Sequence, residues 1–171
     1  MWVHGMHIGR LFRSSRGQSL VELAISLPLV VVLMTGVIDF GWVLYAHVQV
    51  AAASGVGARA GAAFTGDLTQ TLAANDSVRN QAIRNAIYNL SVSPTTTSMG
   101  LLKTTSPNFD VTTDVQISYP DGDPSNPANT TRVGQDILVS VSYRQPIWFQ
   151  ILPGSSSGTF LVHTSTTVRV Q

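Results

Sequence analysis

Leu23 to Ile38 is a run of sixteen residues without a charge, and it limits the possible folds more than any other stretch of the chain. With Leu20, Val21 and Phe40 to Ala46 the apolar zone reaches about 26 residues, interrupted only by Glu22 and Asp39. A helix needs roughly 20 such residues to cross a bilayer. The length therefore suffices when one carboxylate sits at each end. Arg10, Arg13 and Arg16 precede the zone without an acidic companion, which predicts a cytoplasmic N-terminus and an exported remainder. Trp42 and Tyr45 follow Asp39, where interfacial aromatics belong at the outer boundary. Two other uses of such a run stay open. One is an uncleaved single-span tether. The other is a secretory signal peptide cut near Ala51-Ala52-Ala53, although Asp39, Trp42, Tyr45 and His47 intervene.

The rest of the composition narrows the classes. A length of 171 residues fits one anchor and one modest domain. Charged residues make up 11%, against about 25% in ordinary soluble domains. The net charge of +1 gives no bulk attraction to nucleic acid. From Gln18 onward there are 7 basic and 9 acidic residues, so a chain beginning there is slightly acidic. The absence of cysteine rules out disulfides, thiolate metal sites and a lipobox-type anchor.

Pro28 lies inside the apolar run and removes a backbone bond to the carbonyl of Ala24, which predicts a kink or a locally melted turn. Small residues continue from Ala46 through Ala63 and include Gly57-Ala58-Arg59-Ala60-Gly61, a GxxxG spacing that Ala53 extends along one face. Such a face permits close helix approach, so Gly57 and Gly61, together with Pro28 of the span, are candidate helix-packing positions. Arg59 is the only cation of this tract.

Glu22 is the only glutamate of the chain. A carboxylate at the mouth of a membrane helix calls for a partner or a function. Counting from the bond after Gly17, it is the fifth residue of a chain that begins at Gln18. The run Arg16-Gly17-Gln18-Ser19-Leu20-Val21-Glu22, the Leu27-Pro28 pair, the Asp39-Phe40-Gly41 triplet and the Ala-rich block ending Gly57-Ala58-Arg59-Ala60 together resemble the TadE-like family. These are minor pseudopilins of tight-adherence (Flp-type) pilus systems. The resemblance covers Arg16 to Phe64, less than a third of the chain. It implies cleavage after Gly17 by a membrane prepilin peptidase, for which a residue without a side chain leaves the backbone approachable. It also implies partners among other pilins and pseudopilins, an inner-membrane assembly platform and the bilayer, and a register role for Glu22 between neighbouring subunits. The electrostatics can be argued separately. A carboxylate about 4 Å from a new terminal ammonium gains on the order of 4 kcal/mol at an effective dielectric near 20. Burying one at mid-bilayer costs around 2.5–3.5 kcal/mol, so pairing and burial are of similar size. Gln18 and Glu22 are also spaced i,i+4, which permits the pair within one chain.

Past Phe64-Thr65-Gly66-Asp67 the composition turns polar. Asn75-Asp76-Ser77 offers helix caps, and Val78, Ala82, Ile83, Ala86, Ile87 and Leu90 give a helical stripe to about Asn89, with Arg79 and Arg84 expected in solvent. Pro94 and the Thr/Ser cluster at 93–98 would end this helix. Three runs alternate as strands do: Phe109–Tyr119, Asp136–Tyr143 and Thr159–Val170. The fold class expected is α+β: a long N-terminal transmembrane helix continuing as a stalk, then a small C-terminal helix with an antiparallel sheet. The division expected is a basic leader over 1–17, a transmembrane and stalk helix over 18–64, and an exported domain over 65–171. The sheet is expected to rest against the stalk or another subunit.

Candidates for chemistry are few. Asp121 and Asp123 share a loop that offers oxygen ligands, but the remaining calcium-ligand spacing is missing. His47 and His163 bring no partner set, and His4 and His7 lie in the leader. No nucleophile motif, phosphate loop or paired-His spacing appears, so neither enzyme activity, metal nor cofactor is expected. The cluster Ile147-Trp148-Phe149, with Ile151 and Leu152, reads as core packing or as a contact for a partner.

Overall fold

The computed structural model describes residues 15–92, 102, 107–121, 131–148 and 158–171. The chain is α+β, with helices α1 (Ser15–Ala62) and α2 (Leu72–Val92) followed by strands β1 (Val115–Ser118), β2 (Asp136–Pro146) and β3 (Thr159–Arg169). It divides between Ile38 and Asp39 into two compact units.

The first unit holds the beginning of α1. Leu20 to Ile38 rises about 28 Å at 1.5 Å per residue, close to the ~30 Å of a bilayer's hydrocarbon core. Its large apolar side chains, Leu20 through Ile38, are exposed. The helix is unbroken at Pro28, so the melted turn expected at Ala24–Pro28 does not occur. Hydroxyls turn inward nearby. Ser26 Oγ donates to the carbonyl of Leu23 (3.3 Å) and Thr35 Oγ1 to that of Val31 (2.7 Å), which satisfies side-chain donors without water.

The second unit begins with the remainder of α1. Ala46, Val50, Ala53, Gly57 and Gly61 are buried at steps of three or four residues, the period of one helix face. Across this face lie Ile83 and Ile87 of α2 and the inner face of the sheet. A Cβ on Gly57 would meet Ile87 Cδ1 at 2.8 Å, and one on Gly61 would meet Ile83 Cδ1 at 2.7 Å and Ile137 Cδ1 at 3.4 Å. Only glycine lets the isoleucines settle this deeply. Ile83, Ile87 and Ile137 are fully buried, and each such side chain contributes about 1.5–3 kcal/mol. Ser54 Oγ meets Thr166 Oγ1 at 2.8 Å and ties α1 to β3.

The turn from α1 to α2 is built around Asp67. Its side chain accepts from Thr69 Oγ1 (2.7 Å) and Thr69 N (2.8 Å), which holds the carboxyl below the usual carboxylate range. Asn75 clamps the backbone of Asp67 in both directions, Oδ1 accepting from its N–H and Nδ2 donating to its carbonyl, each at 2.9 Å. Helix α2 therefore starts at Leu72, six residues before the expected Val78. Thr71 Oγ1 serves the first turn by accepting from Ala74 N. Asn75 and Asp76, expected as caps, lie inside the helix and bond to distant backbone and side chains. The buried stripe is Asn75, Arg79, Ile83 and Ile87, whereas Val78 is exposed. The helix's expected end at Pro94 and the cluster 93–98 lies outside the described residues.

The sheet is a meander of order β1-β2-β3, antiparallel throughout. Ile137, Val139, Val141 and Tyr143 of β2 point inward, and in β3 the same alternation buries Val162. The pairing runs from Asp136 opposite Arg169 to Pro146 opposite Thr159. The first strand is much shorter than the expected Phe109–Tyr119. Asp110 Oδ1 takes Thr112 N (2.7 Å) and Thr112 Oγ1 (2.6 Å), and Asp114 N bonds back to the carbonyl of Asp110 (2.8 Å). That side-chain turn competes with strand geometry and wins.

Candidate processing and assembly site

Gly17, Gln18 and Glu22 lie on the first two turns of α1, all exposed. The Gly17–Gln18 bond belongs to the first turn, whose N–H groups have no partner within a helix, so it is the easiest part of the helix to open. A Cβ on Gly17 would meet nothing within 4 Å. Glycine in a helix costs about 1 kcal/mol relative to alanine. At Gly57 and Gly61 the fold explains that cost through Ile87 and Ile83, but at Gly17 it does not. Pro28 is likewise exposed.

At the start of the second unit Asp39 is buried, and its Oδ1 accepts the backbone N–H of Trp148 at 3.3 Å. Trp148 itself is 85% exposed, which removes core packing as an account of this residue. Ile147 is buried, and Phe149, Ile151 and Leu152 lie outside the described residues. Trp42 and Tyr45, both exposed, meet edge to face with ring centroids 6.1 Å apart. Arg59 turns back along its own helix, Nε donating to the carbonyl of Gly55 at 3.1 Å.

The sequence reading missed a buried charge cluster. Arg79, expected in solvent, is fully buried. It donates to the carbonyl of Thr131 (2.6 Å), pairs with Asp76 (3.2 Å) and lies over the ring of Phe64 at 5.2 Å. Asp76 also receives Arg132 bidentately, with Nε to Oδ1 and Nη2 to Oδ2 both at 2.8 Å. The guanidinium of Arg132 stacks 4.0 Å from the centroid of Tyr119, whose hydroxyl donates to Asn80 Oδ1 at 2.6 Å. No local signal foretells this, because 56 residues separate Asp76 from Arg132. Arg84 also turns inward, donating to the carbonyl of Thr112 at 2.9 Å.

His163, which the sequence left without a partner set, has its Nδ1 3.1 Å from Ser142 Oγ on the open outer face of the sheet. Among the described residues no group of three or more His, Asp or Glu is placed to hold a metal ion. Asp121 is described, while Asp123 of the same loop is not.

These features define a protein whose one N-terminal helix is long and apolar enough to cross a membrane, followed by an α+β domain. Residues 17–59 match the family described as TadE-like protein, and the chain carries a TadE-like domain there. That family is structural and associated with Tad pilus assembly. The match opens on Gly17, contains Glu22 and closes on Arg59, so it lies wholly within α1. No curated protein and no solved structure matches the chain.

Proposed function

We propose that this chain is a minor pseudopilin that helps initiate or assemble a tight-adherence pilus. In this reading a prepilin peptidase cuts after Gly17. The mature chain starts at Gln18 and stays anchored in the inner membrane by α1, with its N-terminus cytoplasmic and its α+β domain exported. Its further partners are other pilins and pseudopilins, the assembly platform and the bilayer. Glu22 sets subunit register by pairing with a terminal ammonium. The observation that carries the reading is the TadE-like match opening at Gly17, a glycine the fold itself does not require. The leader arginines support the orientation.

N-terminal sequencing of the protein from a strain that possesses the peptidase tests the reading. A start at Gln18 is expected, and Gly17→Trp should keep the chain at full length. A start at Met1 in the wild type marks an uncleaved tether, and a start near Ser54 marks a signal peptide. Glu22→Ala should leave cleavage intact and impair pilus assembly. Intact pili would remove the register role while leaving the processing step standing.

A further inference from the structure

The proposed cut after Gly17 makes Gln18 the first residue of the mature chain. Gln18 is exposed, and among the described residues none hydrogen-bonds its side-chain amide. The first N–H groups of a helix have no partner within it, so once Gln18 heads α1 the helix no longer holds its nitrogen. A new α-amine has a pKa near 8, so roughly a tenth of it is uncharged and nucleophilic at pH 7. Glutamine brings its own amide carbon within reach of that nitrogen, because closing the nitrogen onto Cδ makes an unstrained five-membered ring. Asparagine in the same place would close a strained four-membered one.

We infer that Gln18 is a modification site, closing to a pyroglutamyl lactam after processing. The α-nitrogen bonds to Cδ, the Cδ–Nε2 bond breaks, and Nε2 leaves as ammonia with one proton from the α-nitrogen. The step needs no oxidant and no co-reactant. Glu22 stands one turn along on the same face of α1 and competes for the nitrogen in its ammonium form. That ion pair forms and breaks, whereas closure is irreversible once ammonia has gone, so the lactam accumulates. The mature terminus then carries no charge. The pair within one chain that the i,i+4 spacing permits is removed, and an ammonium for Glu22 has to come from a neighbouring subunit. The inference rests on cleavage after Gly17.

The full-length protein, expressed in a strain that possesses the peptidase, tests it. Formaldehyde and cyanoborohydride added at lysis dimethylate every free amine and so prevent any later closure. Intact mass and the mass of the N-terminal fragment are then read. The expected product begins at Gln18, is lighter than the encoded chain by one ammonia (about 17 Da) and carries no label at its terminus. Gln18→Ser, which cannot close, should be cut at the same bond and carry the label; its blockage would refute the glutamine side chain as the cause. A wild-type terminus at Gln18 that is mostly dimethylated overturns the lactam and leaves the processing reading standing. A blocked Gln18 terminus heavier than the encoded chain reports another acyl group, which also overturns the lactam. A wild-type chain that begins at Met1 or near Ser54 overturns the processing reading and the lactam with it.

Discussion

Asp76 serves two guanidinium groups, and that arithmetic governs what its loss would do. Removing the carboxylate strands Arg79, which is fully buried, without the counter-charge it has here, and takes from Arg132 its bidentate partner. Breaking a buried pair in this way costs about 3–5 kcal/mol. Asp76→Ala should therefore lower the urea midpoint of the domain strongly. Arg132→Ala should cost less, since Arg79 still neutralises Asp76. Equal losses would show that the two arginines do not share the carboxylate. Arg132, which pairs with Asp76 and stacks on Tyr119, also holds a left-handed backbone conformation (φ 58°) that L residues rarely adopt. Tyr119 carries a pH signature. Burial, and next the nearby negative charge of Asp76, push its hydroxyl above the ordinary value of 10.0. The neutral form is favoured in the folded state, so its contribution is fully present below pH 10.0 and is lost as pH rises through the folded value. Stability measured by chemical unfolding should decline in that alkaline range, and Tyr119→Phe should flatten the decline. None of this cluster was legible in the sequence, where Asp76 reads as a cap and Arg79 as a solvated charge. Gly17 and Glu22, whose processing and register roles are proposals, stand out in the sequence because they lie in one short segment beside an apolar run.

At the scale of elements, the small residues of α1 are where physical reading and structure meet most closely. The spacing of Gly57 and Gly61 announced a close approach but could not name what approaches. Within the chain it is α2, through Ile87 and Ile83. A methyl at Gly57 collides first with the Cδ1 of Ile87. Gly57→Ala should then lose stability through overpacking, about 1–3 kcal/mol, offset by about 1 kcal/mol from alanine's helix propensity. Ile87→Val removes the colliding carbon, so the double variant should be more stable than the sum of the two single changes. A double-mutant cycle on thermal unfolding reads this directly, and strict additivity would refute the contact. Strands β2 and β3 were visible from their alternation because one face of each is buried and the other is not. The first strand was overread since alternation cannot register Asp110 capturing Thr112. The early start of α2 was hidden for a related reason: Asn75 bonds the backbone of Asp67, eight positions back.

For the whole molecule, the division between Ile38 and Asp39 places the second half of α1 in the same unit as the sheet. Ala46, Val50, Ala53 and Ala58 belong to one buried cluster with Ile83, Ile87, Ile137, Val139 and Val141. A polypeptide of residues 39–171 should accordingly show the cooperative unfolding and near-ultraviolet circular dichroism of the intact domain. One of residues 65–171 lacks the helix that covers both isoleucines and should show neither. Cooperative unfolding of the shorter piece would refute α1 as part of this core. The clamp between Asp76 and Arg132 adds a matter of timing. Ribosomes deliver a chain N-terminus first, and Val92 completes α2 well before residue 132 emerges. Until then Arg79 lacks the Thr131 carbonyl under which it is buried, and Asp76 lacks its bidentate partner. Until Arg132 arrives, the second helix has only the apolar half of its seat, Ile83 and Ile87 against Gly61 and Gly57, and the polar half closes last.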